Sequence, residues 1–169
     1  MSTIDDIIGS ARLPEQTVKL CLRGDLVAEH AALDAELKAL GEWSPTSLAE
    51  ADPRAGIAAQ VRDLEAQIAA SETPFTFRAL GRRKYRELVD AHPGEPGTRF
   101  NADTFPRALI AACCTEPALT PTDVDRLFDV LNEGAVEVLF MAAYTVNEGL
   151  TRVPFSATAS ELTKRRETS

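Results

Sequence analysis

Residues 17–23, Thr-Val-Lys-Leu-Cys-Leu-Arg, alternate between apolar and polar side chains. A period of two predicts a half-buried strand with Val18, Leu20 and Leu22 on one side and Lys19, Cys21 and Arg23 on the other. Gly24 ends it, and Asp25 is placed to cap the next element. From Leu26 the period changes. Leu26, His30, Leu33, Leu37 and Leu40 are spaced 4-3-4-3, a narrow apolar seam at coiled-coil spacing that stops at Gly41. Residues 41–53 read as a turn-rich connector with Trp43 as an anchor. Asp52 and Pro53 suit a helix cap and a first helical position. Ile57, Val61, Leu64 and Ile68 then repeat the helical spacing, so the two segments predict an antiparallel helical hairpin.

Phe75, Phe77 and Ala79 alternate with Thr76, Arg78 and Leu80, a second strand closed by Gly81. The order is therefore strand, helical hairpin, strand. Pairing the strands at the hairpin's base satisfies both backbones and makes the helices an arm. A helix over 82–91 buries Tyr85, Leu88 and Val89, and residues 92–103 form a loop. Asp103 is placed to cap a helix that turns Phe105, Leu109 and Cys113 inward. Thr120-Pro121-Thr122-Asp123 is close to a capping box. The helix it opens shows Val124, Leu127, Phe128 and Leu131 on one face and is broken at 132–134. A last helix over 135–148 turns Val136, Leu139, Phe140, Ala143 and Tyr144 inward. The pattern predicts a mainly α chain of the α+β class. A short two-stranded β-ribbon, linked by an α-helical hairpin arm, packs on a C-terminal bundle of about four helices. Residues 1–81 make the ribbon and arm, 82–149 the helical domain, and 150–169, which show no sustained period, a mobile basic tail.

Charge changes this picture in one place. The 169-residue chain has a net charge of -8, divided as -7 over residues 1–72, -3 over 73–149 and +2 over 150–169. Yet five of its eighteen Lys and Arg residues fall between Arg78 and Arg86. Arg82, Arg83 and Lys84 occupy the first turn of a helix, where the dipole disfavours positive charge. A basic face with Tyr85 nearby superficially suits nucleic acid. The overall negative charge opposes it, and Tyr85 falls on the apolar face. Contact with acids, from the hairpin or from a protein partner, is the better reading.

Little else suggests chemistry. The two histidines, His30 and His92, are far apart in sequence, and no CxxC, HExxH, GxSxG, phosphate loop or dinucleotide fingerprint is present. Asp125 and Asp129 share a helical face and could mark a cation site, although acids favour early helical turns in any case. The adjacent Cys113 and Cys114 have Cα atoms about 3.8 Å apart, too close for an ordinary disulfide. Flanked by Leu-Ile-Ala-Ala, they read as two small core residues. No catalytic residue, metal ligand or cofactor is expected. No apolar run is long enough for a membrane span, and the acidic start, Met-Ser-Thr-Ile-Asp-Asp, is unlike a secretory signal.

Three stretches carry a resemblance: LPEQTVKLCLRGDLVAEHAALDAEL, FTFRALGRRKYRELVDAHP and FNADTFPRALIAACCTEPALTPTDVDRLFDVLNEG. Over about residues 13–149 the chain resembles the tail assembly chaperones of long-tailed, siphovirus-type phages and prophages of actinobacteria, and VPFSATASELT in the tail is similar too. The resemblance implies a non-enzymatic protein of the host cytoplasm, absent from the finished virion. It would bind the long helical tape-measure protein, keep it soluble and help the tail-tube protein assemble around it. It implies a homo-oligomer and, in many cases, a longer frameshifted form of the same chain diverging near the C-terminus. Helix-in-groove binding would serve this. The groove among the helices from 103 to 148, with Leu127, Phe128, Leu131, Leu139 and Phe140, is the candidate surface. Arg82, Arg83, Lys84 and Arg86 form a second one. The competing expectation is a small helical adaptor or regulator that contacts nucleic acid or an acidic partner through Arg78–Arg86.

Overall fold

The computed structural model describes residues 3–44 and 51–149. Strand β1 (Glu15–Cys21) is followed by α2 (Gly24–Ala39), α3 (Arg54–Ala70) and β2 (Glu72–Arg78). The strands pair antiparallel from Glu15↔Arg78 to Cys21↔Glu72, so the helical hairpin grows from the ribbon's end as an arm. The Thr17 and Thr76 hydroxyls, 2.9 Å apart, and the Arg78–Glu15 ion pair tie the strands across their exposed face. On the other face Phe75 and Phe77 are buried, as the alternation predicts. Leu20 is buried, but Leu22 is exposed, because β1 ends at Cys21 and the chain has already turned toward α2.

The arm's seam holds where it faces its partner. Leu26, Val61 and Leu64 are buried, and His30 Nε2 lies 3.4 Å from Glu65 Oε1 across the hairpin. Leu40 stands past the last turn of α2 and is exposed. Two expected caps differ. Asp25 sits inside the first turn of α2 and pairs with Arg23, whose guanidinium holds its carboxyl down at about 2. Asp103 is displaced by Asn101, whose Oδ1 accepts from the N–H groups of both Asp103 and Thr104. Asp52 does act at the start of α3, accepting from Arg54 N at 2.9 Å.

Helices α4 (Arg82–Asp90), α5 (Phe105–Cys113), α6 (Pro121–Phe128) and α7 (Glu133–Glu148) form the helical body. The Thr120 box closes as expected. Asp123 N donates to Thr120 Oγ1, Thr120 N donates to Asp123 Oδ2, and these bonds hold the Asp123 carboxyl below its usual range. A third strand, β3 (Cys114–Glu116), adds to the free edge of β2 with Phe77 opposite Cys114, giving a three-stranded sheet in the order β1-β2-β3. One apolar cluster joins sheet and helices. Phe77, Phe105, Leu109, Ile110, Val124, Leu139 and Ala143 are all fully buried in it. None of the arm's buried residues belongs to that cluster. Asn147, near the end of α7, ties three parts together: its Oδ1 accepts from Leu80 N, and its Nδ2 donates to Ala143 O and Cys113 Sγ.

A helix that the periodicity did not suggest, α1 (Ile4–Ser10), precedes the ribbon and opens with its own capping box between Thr3 and Asp6. Among the described residues no helix is long and apolar enough to cross a membrane. The expected tail, 150–169, lies outside the described residues.

Candidate docking surfaces

The expected groove is present between the loop before α5 and helices α5, α6 and α7, with a volume of about 430 Å³. Phe100, Pro106, Phe128, Leu131, Val136 and Phe140 line it. Its depth comes from aromatic packing underneath. Phe105, at the start of α5, stacks on Phe100 with ring centres 4.2 Å apart and meets the edges of Phe140 and Tyr85. Phe100 reaches this position because the preceding loop doubles back. Asn101 N donates to His92 O, Gly97 takes a φ of +91°, which favours glycine, and a Cβ at Gly94 would strike the Phe100 carbonyl.

The rim is acidic. Asp103, Glu133 and Glu137 line it, against one cation, Arg107. Arg107 is itself bonded to Asp125 at 2.7 Å, and its guanidinium lies 4.6 Å from the Phe128 ring centre. Asp125 is thus tied to Arg107 rather than opposed to Asp129. Among the described residues no group of three or more His, Cys, Asp or Glu side chains is placed to hold a metal ion.

Of the five apolar candidates, Phe128, Leu131 and Phe140 line the groove. Leu139 does not: it is fully buried in the central cluster, one residue round the helix from Phe140. Leu127 packs against that cluster and is also outside the groove. Two of the groove residues that periodicity missed, Phe100 and Asp103, belong to a loop, where no repeat reports orientation.

The basic cluster divides. Arg78 pairs with Glu15 across the ribbon, and Arg83 lies 3.8 Å from Glu87 on its own helix. Among the described residues no acid of the arm forms an ion pair with the cluster; Asp34 bonds Lys38 and Asp52 bonds Arg54 instead. Arg82, Lys84 and Arg86 are exposed and, among the described residues, have no ion pair. Arg82 and Arg86 line a second cleft, of about 420 Å³, where the start of α4 meets the end of α7. At its wall Arg99 bonds Glu148 at 2.7 Å, holding that carboxyl below its usual range, and lies 5.9 Å from the Tyr85 ring centre. Burial, reinforced by the neighbouring Glu148 carboxylate, pushes the Tyr85 phenol well above its usual range.

Cys113 and Cys114 are core residues. Burial raises both thiols, Cys114 to about 11. Both are therefore protonated near neutrality and poor nucleophiles. Only Cys21, at the arm's base, is part-exposed. With an aromatic disulfide reagent at pH 8, one thiol per chain should react promptly and two only on unfolding. Three prompt thiols would contradict this burial.

Set against known proteins, the chain matches no protein-family model, no curated protein and no solved structure.

Proposed function

We propose that this protein is a phage tail assembly chaperone, which binds the tape-measure protein through the α5–α6–α7 groove, keeps it soluble and promotes tail-tube assembly around it without covalent chemistry. The groove carries the reading. Half-buried aromatic and aliphatic side chains from separate helices converge there, on a surface whose floor is held by the core. Such a floor receives the i, i+3, i+4 anchors of an apolar helix. The acidic rim adds a requirement: the bound segment should carry Lys or Arg beside its anchors.

The reading expects a tape-measure protein to be encoded beside this chain, and the test is titration of overlapping helical peptides from it. At least one basic, apolar peptide should bind. Phe128→Glu and Leu131→Glu should each weaken it about thirtyfold or more, as expected for central interface anchors. Equal binding by both variants and by Phe140→Glu would remove the groove from the proposal, and absence of any binding peptide would remove the chaperone reading.

The second reading, an adaptor that contacts nucleic acid or an acidic partner through Arg78–Arg86, draws support from the exposed Arg82, Lys84 and Arg86. Their replacement by Ala would then flatten the salt dependence of nucleic-acid binding. The groove reading leaves them without effect on peptide affinity.

A further inference from the structure

Helix α1 and the α4 cleft are each incomplete, and their deficits match. α1 presents Ile4, Ile7 and Ile8 at i, i+3, i+4 spacing, 67%, 55% and 65% exposed. It buries no residue and makes no extended contact with another element. Seven residues are far fewer than a helix needs to persist alone in water, and a contiguous isoleucine face in solvent marks a contact surface. The face is flanked by acids. Asp6 is held in the capping box, whereas Asp5 has no bonded partner among the described residues.

The cleft has the opposite character. Leu13, Leu80 and Val146 give it an apolar lining, and Arg82 and Arg86 stand in it with no ion pair among the described residues. The first turn of α4 has no capping side chain, and Arg82, Arg83 and Lys84 sit at the positive end of its dipole. An acid arriving from outside relieves that arrangement. The groove cannot take α1, since its rim is already acidic.

We propose that two copies of the chain exchange α1, the isoleucine face of each seating in the other's α4 cleft with Asp5 facing Arg82 and Arg86. The helix acts in trans because its own cleft is its point of departure. Leu13 and Pro14 line the cleft, and only Ala11 and Arg12 separate them from α1. Arg12 bonds the Gly9 and Ala11 carbonyls, holding the helix end to the chain that leaves it. Two such clefts facing one another across a two-fold axis make a self-complementary interface. This pairing uses a surface distinct from the tape-measure groove and does not depend on that function.

Sedimentation of the full chain tests it. The wild type should be a concentration-dependent dimer. Ile7→Glu with Ile8→Glu, and separately Arg82→Glu with Arg86→Glu, should each weaken the dimer about thirtyfold or more. All four side chains are exposed, and a retained melting transition shows that the variants fold. Mixing the two double variants should restore a heterodimer, since one intact helix then meets one intact cleft. Asp5→Arg added to Arg82→Glu and Arg86→Glu should recover self-association, with Asp6 untouched so that the cap survives. A wild type that is monomeric throughout, a dimer indifferent to both double variants, or a mixture that does not pair would each overturn the exchange. So would a dimer lost on removing residues 150–169 but kept in the double variants, which would assign pairing to that segment.

Discussion

Phe105→Ala should lower the melting temperature by roughly 10 °C. Truncating a fully buried Phe costs about 3–5 kcal/mol, and 1 kcal/mol corresponds to about 2–4 °C in a chain of this size. The position warrants the full cost because four rings depend on it: Phe100 stacks on it, while Tyr85, His92 and Phe140 meet it edge-on. Rigid helix starts on both sides resist collapse into the space. The same change should abolish peptide binding, because Phe100 and Phe140 would lose the support that holds the groove open. Phe128→Ala provides the contrast: half-buried in the groove wall rather than fully buried beneath it, it should cost far less stability while still weakening the peptide. Calorimetry of the two variants separates these roles. A shift under 3 °C for Phe105→Ala would mean that the aromatic cluster is not a shared foundation.

Excising the arm should leave the rest folded. Cys21 pairs directly with Glu72, so replacing residues 22–71 by Asn-Gly offers a tight hairpin turn whose twist suits the ribbon. The central cluster contains nothing from α2 or α3. The shortened chain, which loses the single tryptophan Trp43, should therefore keep a single cooperative melt and the near-ultraviolet signal of Tyr85 and Tyr144. Residues 24–71 alone should show little helix, since Leu26, Val61 and Leu64 are the arm's only buried apolar side chains among the described residues and isolated helices of this length are marginal. Loss of the cooperative transition on excision would show that the arm and body fold as one unit.

Much of this architecture was legible because the relevant patterns were local. The 4-3-4 spacing of Leu26, His30, Leu33 and Leu37 marked an arm, the Phe75–Phe77 alternation marked a buried strand face, and Thr120 announced its helix. What escaped depended on partners distant in sequence. β3 is three residues long and exists because the edge of β2 is available at Phe77, which no period within 114–116 can show. α1 has an isoleucine stripe and a Thr-x-x-Asp box, signals that were present but offered no core within the chain to face. Leu139 and Phe140 are neighbours of the same type on α7. Which enters the core and which the groove is set by how α7 rotates against α5, a tertiary choice that the helical period leaves open. Asp25 and Asp103 were plausible caps by residue type, but Arg23 and Asn101 compete through geometry that only the folded turns supply.

Asn147 has a mechanical consequence. Through one primary amide the last turn of α7 grips the strand exit at Leu80 and the thiol at the end of α5. A pull on the chain beyond Gly149 would be shared between the sheet and the helical body before it could unwind α7, so load entering at that terminus is spread through the whole cluster.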